Sequence, residues 1–374
     1  GGRSVGHAAR VIVFDEPTSS LSIAETERLL KIIRQLASEG ITCIYVSHRM
    51  GEIFAVCDRV TVLRDGRFIA TTAIKDLDEP MLVEQMIGRR IDAVSRRAAA
   101  DNGGEAAALR SLVDGASKSA HGPAPTGEQA PLLEARDISS SGKLESISLS
   151  IRRGEILGVG GLVGSGRSEL LDAIFGLDPA SGGTVRIDGR PLAPHAPRQS
   201  ISAGIGYVPE DRRLQGLFFQ LGVAENILVP VMPRLARAGI RNISAERRLT
   251  DTRIREFQVK AASTSALPGS LSGCNQQKLL IARWMSEDAR VLLLDEPTRG
   301  IDVGTKAEIY RLIRAAADRG TAILLVSSEM PELLALSDRI IVLSEGRLTG
   351  ELRGDDMTQA NILKLAAFEG TAAG

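Results

Sequence analysis

Short apolar runs alternate with amphipathic stretches of helical period in two separate parts of the chain. In the first part the pattern predicts strands at 11–14, 42–46, 59–63 and 67–71, and helices at 25–37 and 51–56. The runs at 11–14 and 42–46 are dominated by apolar and β-branched residues, which predicts parallel strands buried on both faces. Further along, a strand at 155–160 enters a glycine-rich turn at 161–168 and then a helical stretch at 169–175. A later run, VLLLD, ends on Asp295. Strands alternating with helices imply an α/β fold, and ligands of such sheets sit at the carboxyl ends of the strands. Asp15, Glu16, Asp295 and Glu296 all stand at that edge.

The two parts repeat one another. VIVFDEPTSSL at 11–21 returns as VLLLDEPTRGI at 291–301, a spacing of 280 residues from Asp15 to Asp295. Without a gap, the same spacing pairs Gly40 with Gly320, Val46-Ser47 with Val326-Ser327, Asp58-Arg59 with Asp338-Arg339, and Gly66-Arg67 with Gly346-Arg347. Between the copies, residues 93–130 are rich in Ala, Gly, Ser and Pro and show no sustained period, as expected of a flexible linker with a short helix near 105–113. The chain is thus expected to divide into 1–92, the linker 93–130 and a second domain at 131–369.

Composition narrows the function classes. Across 374 residues, 46 basic and 46 acidic side chains leave no net charge to attract nucleic acid. Cys43, Cys57 and Cys274 lie far apart in no C-x-x-C arrangement, so neither a disulfide framework nor a zinc site is expected, and a reducing cytoplasm fits. No apolar run approaches the roughly 18 residues that read as a membrane span, so work at a membrane would be done from its side.

The turn GLVGSGRS follows the phosphate-binding pattern G-x-x-x-x-G-K-S/T with arginine in the lysine position. Gly161, Gly164, Ser165 and Gly166 let backbone N–H groups converge on phosphate oxygens, and the helix N-terminus adds partial positive charge. Arg167 keeps the cation with a different reach, and the Ser168 hydroxyl is a ligand for Mg²⁺. Asp295, closing its strand, can hold Mg²⁺ through water, and Glu296 can orient or deprotonate an attacking water. The bland alternative, two acids capping the next helix, is weakened by the second copy of DEPT at Asp15 and Glu16.

LSGCNQQK at 271–278, shortly before VLLLDEPTRGID, resembles the signature motif of ATP-binding cassette (ABC) ATPases. GLVGSGRSEL, YVPEDRR, DEPTRGIDVG and VSSEMPEL resemble the second cassette of bacterial monosaccharide-importer ATPases of the ribose, galactose and xylose type, while DEPTSSLS and YVSHRMGEI resemble the end of their first cassette. The resemblance implies a P-loop NTPase of ABC type: a mixed, largely parallel core sheet with helices, an antiparallel β subdomain and a helical subdomain. It implies ATP and Mg²⁺, with each ATP between the P-loop of one cassette and the signature of the other. Ser272 and Gly273 would open a helix facing the γ-phosphate, Glu210 would occupy the permease-sensing Q-loop position, and His48 would be the switch histidine. It further implies membrane permease subunits, a sugar-binding protein beyond them, no nucleic acid, and a peripheral place on the cytoplasmic face of the membrane.

Counterparts of the glycine-rich turn and the signature in the first copy would fall before Gly1, so the resemblance implies an N-terminally truncated two-cassette protein. One composite site would join Asp15, Glu16 and His48 to 271–275; the other would use 161–168 with Asp295 and Glu296. Neither is expected to close within one chain, whereas a homodimer of second cassettes would supply the missing signature in trans. Arg167, Glu210 and Ser328, the last standing where His48 does in the first copy, imply a weakened second site. Cys274 stands where the family has glycine and is expected to hinder closure, and the absence of an aromatic ring near 139–143 predicts loose base recognition. The reading is an ATPase that drives sugar import, slow or inactive in isolation. A second reading is a non-hydrolysing nucleotide-binding or scaffold subunit. Soluble ABC ATPases of translation or DNA repair would show a basic interdomain segment or long heptads, and 93–131 offers neither.

Overall fold

A computed structural model describes residues 10–15, 17–18, 23–47, 50–64, 67–78, 81–82, 85, 130–179, 181–237, 240–285, 289–301 and 303–367. Glu16, His48 and the expected linker helix near 105–113 lie outside the described residues, as does nearly all of the linker itself. The chain forms two compact units, Gly1–Asp92 with Asp302–Gly304, and Ala93–Ile301 with Thr305–Gly374.

In the first unit, β1 (Val11–Asp15) and β2 (Thr42–Val46) pair in parallel, with α1 (Ile23–Ser38) between them in sequence. Helix α2 (Met50–Val56) then leads to the antiparallel hairpin of β3 (Arg59–Arg64) and β4 (Arg67–Ala73).

The second unit opens with β5 (Leu133–Ser140) and β6 (Leu144–Ile151). With β8 (Ser181–Ile187) and β9 (Arg190–Pro191) they form an antiparallel sheet in the order β6-β5-β8-β9. Between them in sequence come β7 (Ile156–Gly161) and α3 (Arg167–Phe175). Helix α4 (Pro197–Ser202) and β10 (Ile205–Val208) follow. A helical segment comes next, made of α5 (Val223–Leu228), α6 (Met232–Leu235), the short pair β11 (Ala236–Arg237) and β12 (Ile240–Arg241), α7 (Ile243–Glu256) and α8 (Gly273–Trp284). The chain closes with β13 (Val291–Asp295), α9 (Val303–Asp318), β14 (Ala322–Val326), α10 (Met330–Leu336), β15 (Arg339–Ser344), β16 (Arg347–Arg353) and α11 (Gln359–Ala366). The main sheet runs β10-β13-β14-β7-β15-β16, parallel except for β16.

Alternation along these strands explains their burial. Leu292, Leu294, Ile323 and Leu325 belong to one apolar cluster, and Val291, Leu293, Leu324 and Val326 to another on the opposite face. A strand with apolar neighbours on both sides has no use for polar positions, so it reads as a continuous hydrophobic run. The second cluster includes Leu170, Leu171, Ile174 and Phe175 of α3, which places the helix after the glycine turn against the sheet.

The internal repeat is written into the strand registers. Val11 faces Thr42 as Val291 faces Ala322, and Asp15 faces Val46 as Asp295 faces Val326. Both hairpins carry an irregularity at the equivalent step, Val62/Leu63 and Val342/Leu343. The first unit departs from the expected burial on both faces. Val11, Val13, Ile44 and Val46 are exposed, whereas their counterparts Val291, Leu293, Leu324 and Val326 are buried. The reason is that no counterpart of α3 covers that face among the described residues.

The β15–β16 turn packs against the β5–β6 turn and the phosphate-type loop: Gly346 N–H donates to Ser165 O (3.1 Å) and Glu145 N–H donates to Gly346 O (2.8 Å). Gly346 has φ +78°, and a Cβ there would lie 2.3 Å from Lys143 O. Gly320, also left-handed at φ +95°, has open space around the same position. Gly320→Ala should therefore cost about 1 kcal/mol of conformational strain. Gly346→Ala should cost at least about 2 kcal/mol, because overpacking adds to the strain. Urea denaturation of the two variants checks this, and equal losses would contradict the packing account.

Candidate functional site

The neighbouring strands β13, β14 and β7 end at one edge, and their terminal residues carry the chemistry. Gly161 closes β7, and the turn that follows is built on glycines at φ +147° (Gly161), +84° (Gly164) and +96° (Gly166), conformations that side chains resist. A Cβ on Gly161 would meet Leu343 O and Ser165 Oγ, each at 2.5 Å. Gly166 is the N-cap of α3 and offers no side-chain cap, so the first-turn N–H groups of the helix remain available to an anion.

Asp295 is nearly fully buried at the end of β13. Burial pushes its carboxyl up to about 6, against the hydrogen bond from Ser168 that favours the charged form. Its Oδ1 has no hydrogen-bond partner, nor has the buried Ser165 Oγ in the turn. Buried polar atoms without partners are costly; others occur elsewhere, at Thr250 and Ser337 for example, and these two are the ones that stand at the glycine turn and the strand end beside it. Ser168 and Asp295 form a set of hard oxygen donors suited to Mg²⁺, which keeps several of its own waters. Among the described residues no group of three or more His, Cys, Asp or Glu side chains gathers as a metal cage.

Glu296 adopts φ +47°, and its N–H extends the strand ladder to Val326 O (2.9 Å). Its side chain is buried, which raises its pKa. Ser328 Oγ donates to Oε2 (3.0 Å), and the guanidinium of Arg167 lies 3.7 Å from Oε1. Arg167 also donates from Nη1 to Ser327 O (2.8 Å). The arginine of the turn is therefore directed at the ends of β13 and β14.

The other sequence-selected residues are placed as follows. Glu210, exposed after β10, pairs with Arg299. Asp211 beside it is a cap, accepting from Arg213 and Leu214 N–H (2.8 and 3.0 Å). Ser272 is the N-cap of α8, its Oγ accepting from Asn275 Nδ2 (3.0 Å). Gly273 opens the helix beside Arg212, whose Nη2 would lie 3.0 Å from an added Cβ. Arg212 in turn contacts Gln276 Oε1 (3.4 Å) and Arg299 O (3.1 Å), linking the signature helix to the turn after Glu296. Cys274 lies inside α8 and keeps a negative φ, so any obstruction from it comes from side-chain bulk. Asp15 ends β1 of the first unit and is exposed.

Sequence reasoning missed one network. Thr298 Oγ1 and Ser327 Oγ both donate to the buried Glu332 (3.1 and 2.6 Å), tying the turn after Glu296 and the end of β14 to α10. In the first unit Thr18 and Ser47 donate to Glu52 (2.9 and 3.1 Å), the same three residues one repeat earlier. The repeat spacing was the signal that could have found it.

A family model described as ABC transporter matches residues 144–299. The chain is 42% identical over 365 residues to the ribose import ATP-binding protein of Yersinia pestis, covering 97% of this chain and 67% of that protein. It is 44% identical over 372 residues to the xylose import ATP-binding protein of Burkholderia ambifaria, again covering 97% of this chain and 67% of that protein. A solved ATP-binding cassette of an ABC transporter matches at TM-score 0.55 and 18% identity, covering 63% of this chain and 99% of its own, a likeness of fold.

Burial, with the negative charge of Glu329 nearby, pushes Glu332 up to about 8, while the Ser327 hydroxyl and Lys306 oppose the shift. The folded chain consequently binds more protons than the unfolded chain between the ordinary carboxylate range and that value, so stability falls as pH rises through the window. Glu332→Gln keeps the shape without the titration. Urea unfolding at pH 6 and pH 8 should show a larger loss for the wild-type chain than for Glu332→Gln, and equal losses would contradict the assignment.

Proposed function

The chain belongs to the ATP-binding proteins of ABC transporters, and we propose that it is the energy-coupling ATPase of a sugar importer. The support for the cargo is the likeness to ribose and xylose import proteins. The observation that carries the nucleotide site is the pair of partnerless buried oxygens, Asp295 Oδ1 and Ser165 Oγ, at the glycine turn in front of α3.

In this reading the backbone N–H groups of Gly161, Gly164, Ser165, Gly166 and Arg167 hold the phosphates of ATP. Ser168 and Asp295 would hold Mg²⁺, which neutralises charge on the phosphate oxygens when bound. Glu296 orients the attacking water and accepts its proton. Ser272 and Gly273, at the N-terminus of α8, present N–H groups to a γ-phosphate on a facing cassette, and Glu210 relays contact with the permease. Asp15, Glu16 and His48 take the metal, base and switch roles in the first unit.

The partners in this reading are membrane permease subunits at the cytoplasmic face and, beyond them, a sugar-binding protein. A homodimer through second cassettes provides a further route to a closed site. No helix among the described residues is long and apolar enough to cross a membrane. A second reading, a subunit that binds nucleotide without turning it over, is favoured by one observation: Glu296 accepts from Ser328 Oγ and stands in an ion pair with Arg167. ATPase assay at saturating MgATP with a full first cassette restored upstream separates the two, turnover that stays at background favouring the second.

Calorimetric titration of the purified chain with MgATP tests the site. Binding is expected, and Ser168→Ala should weaken it about tenfold with Mg²⁺ present, about 1.4 kcal/mol, and little in EDTA. A cooperatively folded chain that binds no nucleotide would refute the assignment.

A further inference from the structure

Arg167 is the first residue of α3, yet its guanidinium is almost wholly buried and reaches across to two neighbouring strand ends. One arm donates to Ser327 O (2.8 Å), and the other lies 3.7 Å from Glu296 Oε1. The planar fork of arginine can meet a carbonyl and a carboxylate together, which a lysine ammonium on its flexible stem does not do with the same fixed geometry. The carbonyl is itself held in place, because Ser327 Oγ donates to the buried Glu332 (2.6 Å). On its far side Glu296 accepts from Ser328 Oγ (3.0 Å). One oxygen of the proposed base therefore accepts a hydrogen bond, and the other stands in an ion pair with the cation of the phosphate-type turn.

We propose that Arg167 serves two anions in turn: it positions Glu296 as seen here, and it gives that carboxylate up when the phosphates of a nucleotide enter the turn. Arg167 is thus a positioning residue that couples phosphate binding to the freeing of the base. The inference rests on the nucleotide-site reading above. A buried cation and carboxylate need each other, since removing one partner leaves the other charge without compensation. Phosphate oxygens supply the replacement partner for Arg167, and Glu296 then has an oxygen with which to accept a proton from water.

Competition of two anions for one cation predicts non-additivity. The affinity of the full chain for ADP in excess EDTA is measured for wild type, Glu296→Gln, Arg167→Met and the double variant. ADP undergoes no turnover, and EDTA leaves no other divalent cation to compete. Glu296→Gln is expected to tighten ADP at least fivefold in the wild-type background and less than twofold in the Arg167→Met background. Equal effects in both backgrounds, or no tightening in the first, overturn the proposal while leaving the nucleotide site standing. A folded wild-type chain that binds no ADP under any magnesium condition removes the site itself. If Arg167→Met does not fold, guanidinium ¹⁵N resonances of the wild-type chain decide: the Arg167 signal must shift as ADP is added, and a stationary signal overturns the proposal.

Discussion

Two adjacent carboxylates buried at the end of one strand impose the constraint around which the second unit is arranged. Desolvating such groups costs several kcal/mol each unless partners are supplied. The partners come from strands that the sheet order makes neighbours. Ser168, after β7, hydrogen-bonds to Asp295, while Ser328, after β14, and Arg167 engage Glu296. The order β13-β14-β7 brings the acids that end β13, the serines after β14 and the glycine turn after β7 to one edge of the sheet. Glu332 adds a third buried acid behind the first two, fixing the turn after Glu296 and the end of β14 by two hydroxyl contacts.

Much of this was legible in the residues. Strand positions followed from apolar runs, and the repeat spacing anticipated registers that the two units share pair by pair, including the irregular step in each hairpin. Less legible was burial in the first unit. Composition alone makes Val11, Val13, Ile44 and Val46 look like core, but burial is a property of what lies above a face, and no covering helix stands there among the described residues. The direction of Arg167 was also hidden. Motif logic sends its charge to phosphate, yet its reach spans elements far apart in sequence, and only the packed sheet brings Ser327 and Glu296 within range.

The two copies also show which features are structural and which are chemical. The Thr–Ser–Glu network occurs in both, Thr18, Ser47 and Glu52 matching Thr298, Ser327 and Glu332. It is architecture, holding the loop after the acids to the strand beside it. By contrast, position 48 is histidine and position 328 serine. A hydroxyl that donates to Glu296 cannot titrate near neutral pH as an imidazole does, so the two copies share a frame and differ in the chemistry of the residue at this position.

The central claim is that the turn from Gly161 to Ser168 wraps the phosphates of a nucleotide above Asp295. A crystal structure of the chain grown with Mg²⁺ and a non-hydrolysable ATP analogue tests it most directly. The account predicts phosphate oxygens against the N–H groups of that turn and a metal ion between Ser168 and Asp295. Nucleotide bound elsewhere, with Asp295 Oδ1 still lacking a partner, would contradict it.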